Sequence, residues 1–92
     1  MSAYQPSYTP QFKKDWKRCG KSGQPLAEAE AVIRTLLEGQ PLEAKFKDHQ
    51  LRGNNKDFRE CHLKPDWLLV YRIEGRTLSL VRTGSHADLF GL

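Results

Sequence analysis

Long apolar segments and paired cysteines are both scarce in this chain of 92 residues. The longest unbroken apolar runs hold four or five residues, as at 67–71, whereas a membrane-spanning helix needs about 20. The first ten residues lack the charged start and the apolar stretch of a secretion signal. The only cysteines, Cys19 and Cys61, form no Cys-x-x-Cys pair, which disfavours a disulfide scaffold and a cysteine zinc knuckle. We therefore expect a cytoplasmic protein with no membrane segment and with both cysteines in its core.

Positive charge, in contrast, is in excess. Fifteen Lys and Arg against eleven Asp and Glu give a net charge of +4. A chain of this length buries only about 60–65% of its unfolded surface and supports one modest core, so residues 1–92 are predicted to form a single domain. The apolar fraction of 38% and the charged fraction of 28% are typical of a globular chain and exclude a disordered one.

Two helices are predicted in the first half of the chain. Thr9 is a good N-cap, Pro10 suits the first helical position, and apolar residues recur at helical spacing over 12–19 until Gly20, which is expected to end the helix. A second apolar helical pattern spans 26–37. The two helices are joined by a short turn and are therefore predicted to form an antiparallel hairpin that covers a sheet.

The other face of the first helix is strongly basic, and such a face is either solvated or in contact with phosphates or an acidic protein. The basic face comprises Lys13, Lys14, Lys17, Arg18 and Lys21, relieved only by Asp15.

The second half of the chain predicts an antiparallel sheet of three consecutive strands, and residues 4–8 add a possible edge strand. On the last of the three, Leu78, Leu80 and Arg82 are predicted to share one face. The predicted segments are an irregular loop at 42–55, strands at 58–63, 67–73 and 77–83, and a capped turn of helix from 85. The fold class is therefore a small α+β domain, a helical hairpin packed on an antiparallel sheet.

The topology of this sheet brings three polar side chains to the same end of the sheet. His62 and Asp66 flank the turn between the first two strands, and the third strand returns to the same end, where His86 follows it. His49 lies in the irregular loop. Histidine exchanges protons in both directions near neutral pH, so two histidines and a carboxylate suit acid–base chemistry.

RNA is a substrate that needs no more than this. Its 2′-hydroxyl is a built-in nucleophile, so cleavage requires a base, an acid and a cation beside the phosphate, without metal or other cofactor. Arg82 and the Lys or Arg residues of 45–59 are the nearby cations. Trp67 and Phe90 are candidate surfaces for a stacked base, although Trp67 heads an apolar strand and equally suits the core.

Two alternatives stay open on these residues alone. The three histidines with Asp66 could form a zinc centre, but the sequence contains no short ligand pair such as His-x-His or His-Glu-x-x-His. The histidines could also be unrelated surface and core residues.

Three motifs extend this interpretation, because their combination resembles the YafQ toxins of the RelE/ParE superfamily of bacterial type II toxin–antitoxin systems. The motifs are KDHQLRG at 47–53, FRECHLKPDWLLVY at 58–71 and RTGSHADLFG at 82–91. The order of the preceding elements agrees, so the resemblance covers nearly the whole chain. It implies an endoribonuclease that depends on the ribosome, cuts mRNA in the A site and stops translation. It also implies a cognate antitoxin, with operator DNA bound only through that antitoxin.

The resemblance also assigns roles to individual residues. His49, His62, Asp66 and His86 are the implied acid–base and structural members of the active site, with His86 as the general acid and Asp66 or His62 as the base. Arg82 is implied to bind the scissile phosphate, and Trp67 and Phe90 to shape the mRNA pocket. Relatives carry Asp where this chain has Glu60, whose role is left open. The alternative is a toxin of the same fold that does not cleave RNA, such as a gyrase inhibitor, or a plain binding module, because fold alone does not fix function.

Overall fold

The structure is a computed structural model that describes residues 2–53 and 57–91. The described elements are β1 (Gln5–Tyr8), α1 (Pro10–Lys21), α2 (Leu26–Leu37), a 3₁₀ turn (Ala44–Phe46), β2 (His49–Gln50), β3 (Arg59–Lys64), β4 (Trp67–Glu74), β5 (Thr77–Gly84) and α3 (His86–Phe90). Within this part of the chain the strands form one sheet in the order β1-β5-β4-β3-β2. The predicted α+β class is confirmed.

The two helices follow their sequence signals closely. The Thr9 hydroxyl accepts a hydrogen bond from the backbone N–H of Phe12 at 2.9 Å and so caps α1, with Pro10 at its first position. The predicted stop at Gly20 is wrong by one residue, because α1 continues to Lys21 and the left-handed turn falls on Gly23, at φ +85°. Gly20 instead lets the helices approach each other, since a Cβ there would lie 3.0 Å from Leu26 Cδ1.

The sheet confirms the predicted meander and extends it at both edges. β3, β4 and β5 pair antiparallel in sequence order, whereas β1 pairs parallel to β5. The segment predicted as an irregular loop contains β2, which pairs antiparallel with β3 so that His49 stands opposite Glu60. Asn54 and Asn55, which belonged to that predicted loop, lie outside the described residues.

The predicted alternation along β5 is wrong at its end. Val70 pairs with Arg82 and Tyr71 with Leu80, so Val81 is an extra residue in the ladder. A bulge of this kind shifts the following side chains by one position. Consequently Thr83 joins Leu80 as a fully buried residue, and Arg82 does not.

The core lies between the helical hairpin and the sheet. Its members come from α1, α2 and the three central strands, and both cysteines are buried free thiols, as predicted. Burial raises the pKa of Cys61 to about 12. None of the described helices has the length and the apolar character that a membrane crossing requires.

Candidate active site

An aspartate in the β3–β4 turn holds the histidine that begins α3. Asp66 Oδ1 lies 2.6 Å from Nδ1 of His86, and it also accepts the backbone N–H of His86 at 2.9 Å. The backbone N–H and the imidazole of His86 together lower the pKa of Asp66, which keeps its carboxylate ionised near neutral pH. An ionised carboxylate only accepts hydrogen bonds, so Nδ1 of His86 carries a proton and Nε2 is left for a substrate.

The three histidines form a row across this end of the sheet, where β3 ends and α3 begins. The ring centroids of His62 and His86 are 5.9 Å apart, and those of His49 and His62 are 6.2 Å apart. His49 and His86 are about half exposed, and His62 is less so, at 20% of its side chain. The structure thus brings together the side chains that the meander topology was predicted to bring together, and it adds His49 through β2.

His49 is fixed by the chain before it. Its Nδ1 lies 2.6 Å from the carbonyl oxygen of Lys47, which adopts a left-handed conformation at φ 49°. The intervening Asp48 accepts a 2.5 Å hydrogen bond from the Tyr71 hydroxyl and lies 3.4 Å from Nε of Arg59. Since a carbonyl oxygen can only accept, Nδ1 of His49 is a donor and its Nε2 points to the rest of the cluster.

Glu60 supplies a buried carboxylate beside two of the histidines. Its Oε1 lies 3.5 Å from Nε2 of His49 and 3.8 Å from Nε2 of His62. The residue is 5% exposed, and among the described residues its Oε2 has no hydrogen-bond partner. A buried carboxylate oxygen without a partner is costly, which is typical of a functional site.

The guanidinium group of Arg82 is held by a side chain of helix α1. Arg82 donates from Nε to Asp15 Oδ2 at 2.9 Å and from Nη2 to Asp15 Oδ1 at 3.1 Å. Asp15 is completely buried, so the prediction that it lies on the basic face of α1 is wrong. Arg18 also leaves that face, since it binds Asp15, whereas Lys13, Lys14, Lys17 and Lys21 are exposed.

The two predicted stacking residues lie in different surroundings. Phe90 is 46% exposed, and its ring centroid is 6.5 Å from that of His86. Trp67 is 1% exposed and donates its Nε1–H to the Thr83 hydroxyl at 2.9 Å. A base therefore has no access to the Trp67 ring in this structure, and any effect of Trp67 on an mRNA pocket has to pass through its neighbours.

Two open grooves flank the row of histidines. One, of about 420 Å³, includes His62 and three lysines, Lys45, Lys47 and Lys64, in its walls. The other, of about 280 Å³, includes Arg82 and Phe90 beside apolar residues. A larger groove of about 520 Å³ lies between α1 and α2, but none of the three histidines lines it. The groove that combines His62 with three lysines is therefore the one that suits a phosphate chain.

Within the described residues, no three His, Cys, Asp or Glu side chains are arranged to hold one metal ion. Asp66 is hydrogen-bonded to His86, and Glu60 lies within 4 Å of His49 and His62. Asp66 and His86 thus form a hydrogen-bonded pair of carboxylate and imidazole, which is an arrangement that suits proton transfer.

Fold and site together define a small α+β protein with a cluster of histidines and carboxylates at one end of its sheet. Residues 4–91 match the family of bacterial toxins of type II toxin-antitoxin systems called YafQ. The chain therefore belongs to the YafQ toxin family, and the resemblance read from the three motifs is confirmed.

Individual relatives are similar over nearly their full length. The mRNA interferase toxin YafQ of Escherichia coli K12 is 38% identical over 85 residues, which cover 91% of this chain and 92% of that protein. The toxin chain in the crystal structure of the E. coli DinJ-YafQ toxin-antitoxin complex is 36% identical with a TM-score of 0.90, and the match covers 97% of this chain and 99% of that one. A metal-bound toxin from Helicobacter pylori is 49% identical with a TM-score of 0.89, and the match covers 95% and 99% of the two chains.

Asp15 and Arg18 are the residues that sequence reasoning missed. The sequence carried a signal for Asp15, because it lies three residues after Phe12 and four before Cys19, on the buried stripe of α1. A carboxylate on an apolar stripe needs a buried partner. Nothing in the sequence pattern of Arg82 identified it as that partner.

Proposed function

We propose that this protein is the toxin of a type II toxin–antitoxin pair and an mRNA endoribonuclease that works on the ribosome by metal-free acid–base catalysis. The observation that carries the proposal is the ionised Asp66 bound to Nδ1 of His86, with His62 alongside. The curated E. coli relative is named an mRNA interferase, which supports the same reaction for this chain.

The reaction divides between two imidazoles. His62 removes the proton from the 2′-hydroxyl, and the 2′-oxygen then attacks the adjacent phosphorus. His86 donates a proton from Nε2 to the departing 5′-oxygen, while Asp66 holds its Nδ1–H. The lowered pKa of Asp66 makes this carboxylate a poor base near neutral pH, so His62 is preferred to Asp66 for the first proton transfer. Of the two candidates for the general base that the sequence left open, Asp66 and His62, we therefore propose His62.

The remaining residues either bind the RNA or hold the residues of the active site in place. Arg82 neutralises the charge that develops on the scissile phosphate, and Phe90 offers an exposed ring for a base next to the cut. His49 and Glu60 flank His62 and hold its ring in place. Trp67 lies in the core and supports the same end of the sheet through its hydrogen bond to Thr83.

The partners follow from the family and from the charge. A cognate antitoxin would neutralise the toxin, as in the E. coli DinJ-YafQ complex, and operator DNA would be bound only through that antitoxin. The toxin would act in the cytoplasm as one domain over residues 1–92, where the exposed lysines of α1 face ribosomal RNA. Placement in the A site would leave the ribosome to position the mRNA.

Primer extension on mRNA tests the proposal in cells and with purified ribosomes. Brief expression of the wild type is expected to give cuts at codon positions, and His86→Ala to remove them. Glu38→Gln, which changes an exposed residue just after α2, should cut like the wild type. Free mRNA without ribosomes should stay intact. Gyrase-linked DNA damage with intact mRNA would instead support the non-cleaving alternative.

A metal requirement is tested separately, because a related toxin from H. pylori has a metal-bound crystal structure. Cleavage by the purified protein should be unchanged by a zinc- and copper-selective chelator that spares ribosomal magnesium. A loss that added Zn²⁺ or Cu²⁺ restores would contradict metal-free catalysis.

A further inference from the structure

Helix α1 reaches the active site through one buried side chain. We propose that Asp15 is a positioning residue of this site, which aims the Arg82 guanidinium at the scissile phosphate and fixes the strand end from which His86 projects. This inference rests on the proposed function, because the phosphate-binding role of Arg82 is part of that proposal.

The contact between Asp15 and Arg82 fixes the direction of the guanidinium. Nε and Nη2 of Arg82 both donate to the carboxylate, at 2.9 and 3.1 Å. Such a two-point contact orients a planar guanidinium more strictly than a single contact does. The Arg82 side chain is still 32% exposed, so Nη1, which makes neither of these contacts, is the group left to meet a phosphate oxygen.

The same carboxylate holds the backbone that leads to His86. The N–H of Thr83 donates to Asp15 Oδ2 at 3.2 Å. Arg18 donates from Nη1 to Asp15 Oδ1 at 2.9 Å and from Nη2 to the carbonyl oxygen of Thr83 at 3.0 Å. Both backbone polar groups of Thr83 are therefore tied to α1, three residues before His86.

The glycine of the RTGSH motif belongs to this arrangement. A Cβ on Gly84 would lie 2.6 Å from Nη2 of Arg18 and 3.0 Å from Cβ of Asp88. Asp88 caps α3 through the N–H of Ser85 and also lies 3.4 Å from Nη2 of Arg18. Arg18 thus passes over Gly84 and joins Asp15 to the helix that carries His86.

The attachment of α1 to the sheet would not by itself need the charges of Asp15 and Arg82. A buried ion pair contributes little net stability compared with apolar packing, and α1 already contributes Phe12 and Cys19 to the core. What the charged pair adds is a fixed direction for Arg82, and catalysis depends on direction, since small misplacements of a catalytic group cost up to about 100-fold in rate.

A double-mutant cycle on ribosomes tests the inference. Single-turnover cleavage is measured for the wild type, Asp15→Asn, Arg82→Gln and the double variant, at saturating ribosomes and below the midpoint of thermal unfolding, with Glu38→Gln as the control. Asp15→Asn should lower the maximal rate by about 10- to 100-fold and leave the ribosome concentration for half-maximal rate unchanged. That loss should be much smaller in the Arg82→Gln background, because the part of the Asp15 effect that passes through Arg82 is already lost there.

The possible outcomes separate the two proposals. A wild type that does not cut mRNA on ribosomes overturns the proposed function. A wild type that cuts, with Asp15→Asn equally active or with losses that multiply independently of Arg82→Gln, overturns the positioning role alone.

If Asp15→Asn does not fold, Arg18→Gln replaces it, because that side chain is 41% exposed. Its smaller loss of maximal rate should again shrink in the Arg82→Gln background, and independent losses would overturn the inference.

Discussion

Two aspartates of this protein, Asp15 and Asp66, bind cationic or ionisable partners in opposite surroundings. Asp15 is completely buried and accepts hydrogen bonds from Gln11, Arg18, Arg82 and the backbone of Thr83. The side chain of Asp66 is 67% exposed and binds only to His86 among the contacts seen in the described residues.

The difference shows how burial decides what a charge does. Burial by itself would raise the pKa of Asp15, but hydrogen bonds from Arg82, Gln11, Thr83 and Arg18 lower it to about 2. Asp15 therefore stays charged inside the protein and contributes to folding and orientation. Asp66 is in contact with water and close to the proposed substrate, so its charge is expected to affect the reaction and to contribute little to folding.

The largest expected effect concerns the exposed aspartate. Asp66→Asn keeps an oxygen that can accept from His86 but removes the charge, and it should lower the cleavage rate by about 100-fold or more, the range of acid–base contributions. The free energy of unfolding should stay close to that of the wild type. Single-turnover cleavage and urea unfolding measure the two quantities, with exposed Asp57→Asn as the matched control. A fully active Asp66→Asn beside an inactive His86→Ala would refute the role given to Asp66.

The next effect concerns the buried aspartate and the pH dependence of stability. The pKa of Asp15 is lowered from 3.8 to about 2 on folding, so the charged carboxylate stabilises the fold by about 2 kcal/mol relative to the protonated form of the same side chain. Because the folded-state pKa is the lower one, this stability is present above pH 4 and is lost as the pH falls from about 4 to about 2. Urea unfolding of the wild type and Asp15→Asn should show a stability difference that shrinks over that range. Curves that stay parallel would contradict the assignment.

The smallest expected effect on folding concerns the exposed lysines of α1. Reversal of Lys13, Lys14 and Lys17 to Glu changes the net charge from +4 to −2, since each reversal changes it by two. The free energy of unfolding should change by less than about 0.5 kcal/mol, but ribosome binding should weaken and depend less steeply on salt concentration. Sedimentation with ribosomes over a salt series measures this, with Arg76→Glu in the β4–β5 turn as the control. Unchanged binding at every salt concentration would remove α1 from the ribosome contact.

Much of the site could be predicted from sequence because it depends on topology. A meander with short turns places the end of its third strand beside its first turn, which is sufficient to bring His86 to Asp66 and His62. The elements themselves were readable because Thr9-Pro10, the strand 67–73 and the capping box at Ser85 are strong local signals.

The remaining features depend on long-range contacts that a local pattern does not contain. The bulge at Val81 exchanged the expected places of Arg82 and Thr83. The pairing of β2 with β3 turned part of a polar loop into a strand and set His49 opposite Glu60. The Asp15–Arg82 pair joins residues 67 positions apart, so neither residue could be assigned a partner from its neighbours in sequence.

Helix α3 has five residues, none of them buried, and yet it carries the proposed general acid. Segments with few buried contacts open at a small fraction of the global unfolding free energy. The amide protons of α3 should therefore exchange with solvent much faster than those of the buried strand β4. Each such local opening would take His86 away from Asp66 while the rest of the sheet stays folded, so the enzyme would lose its acid reversibly without losing its fold.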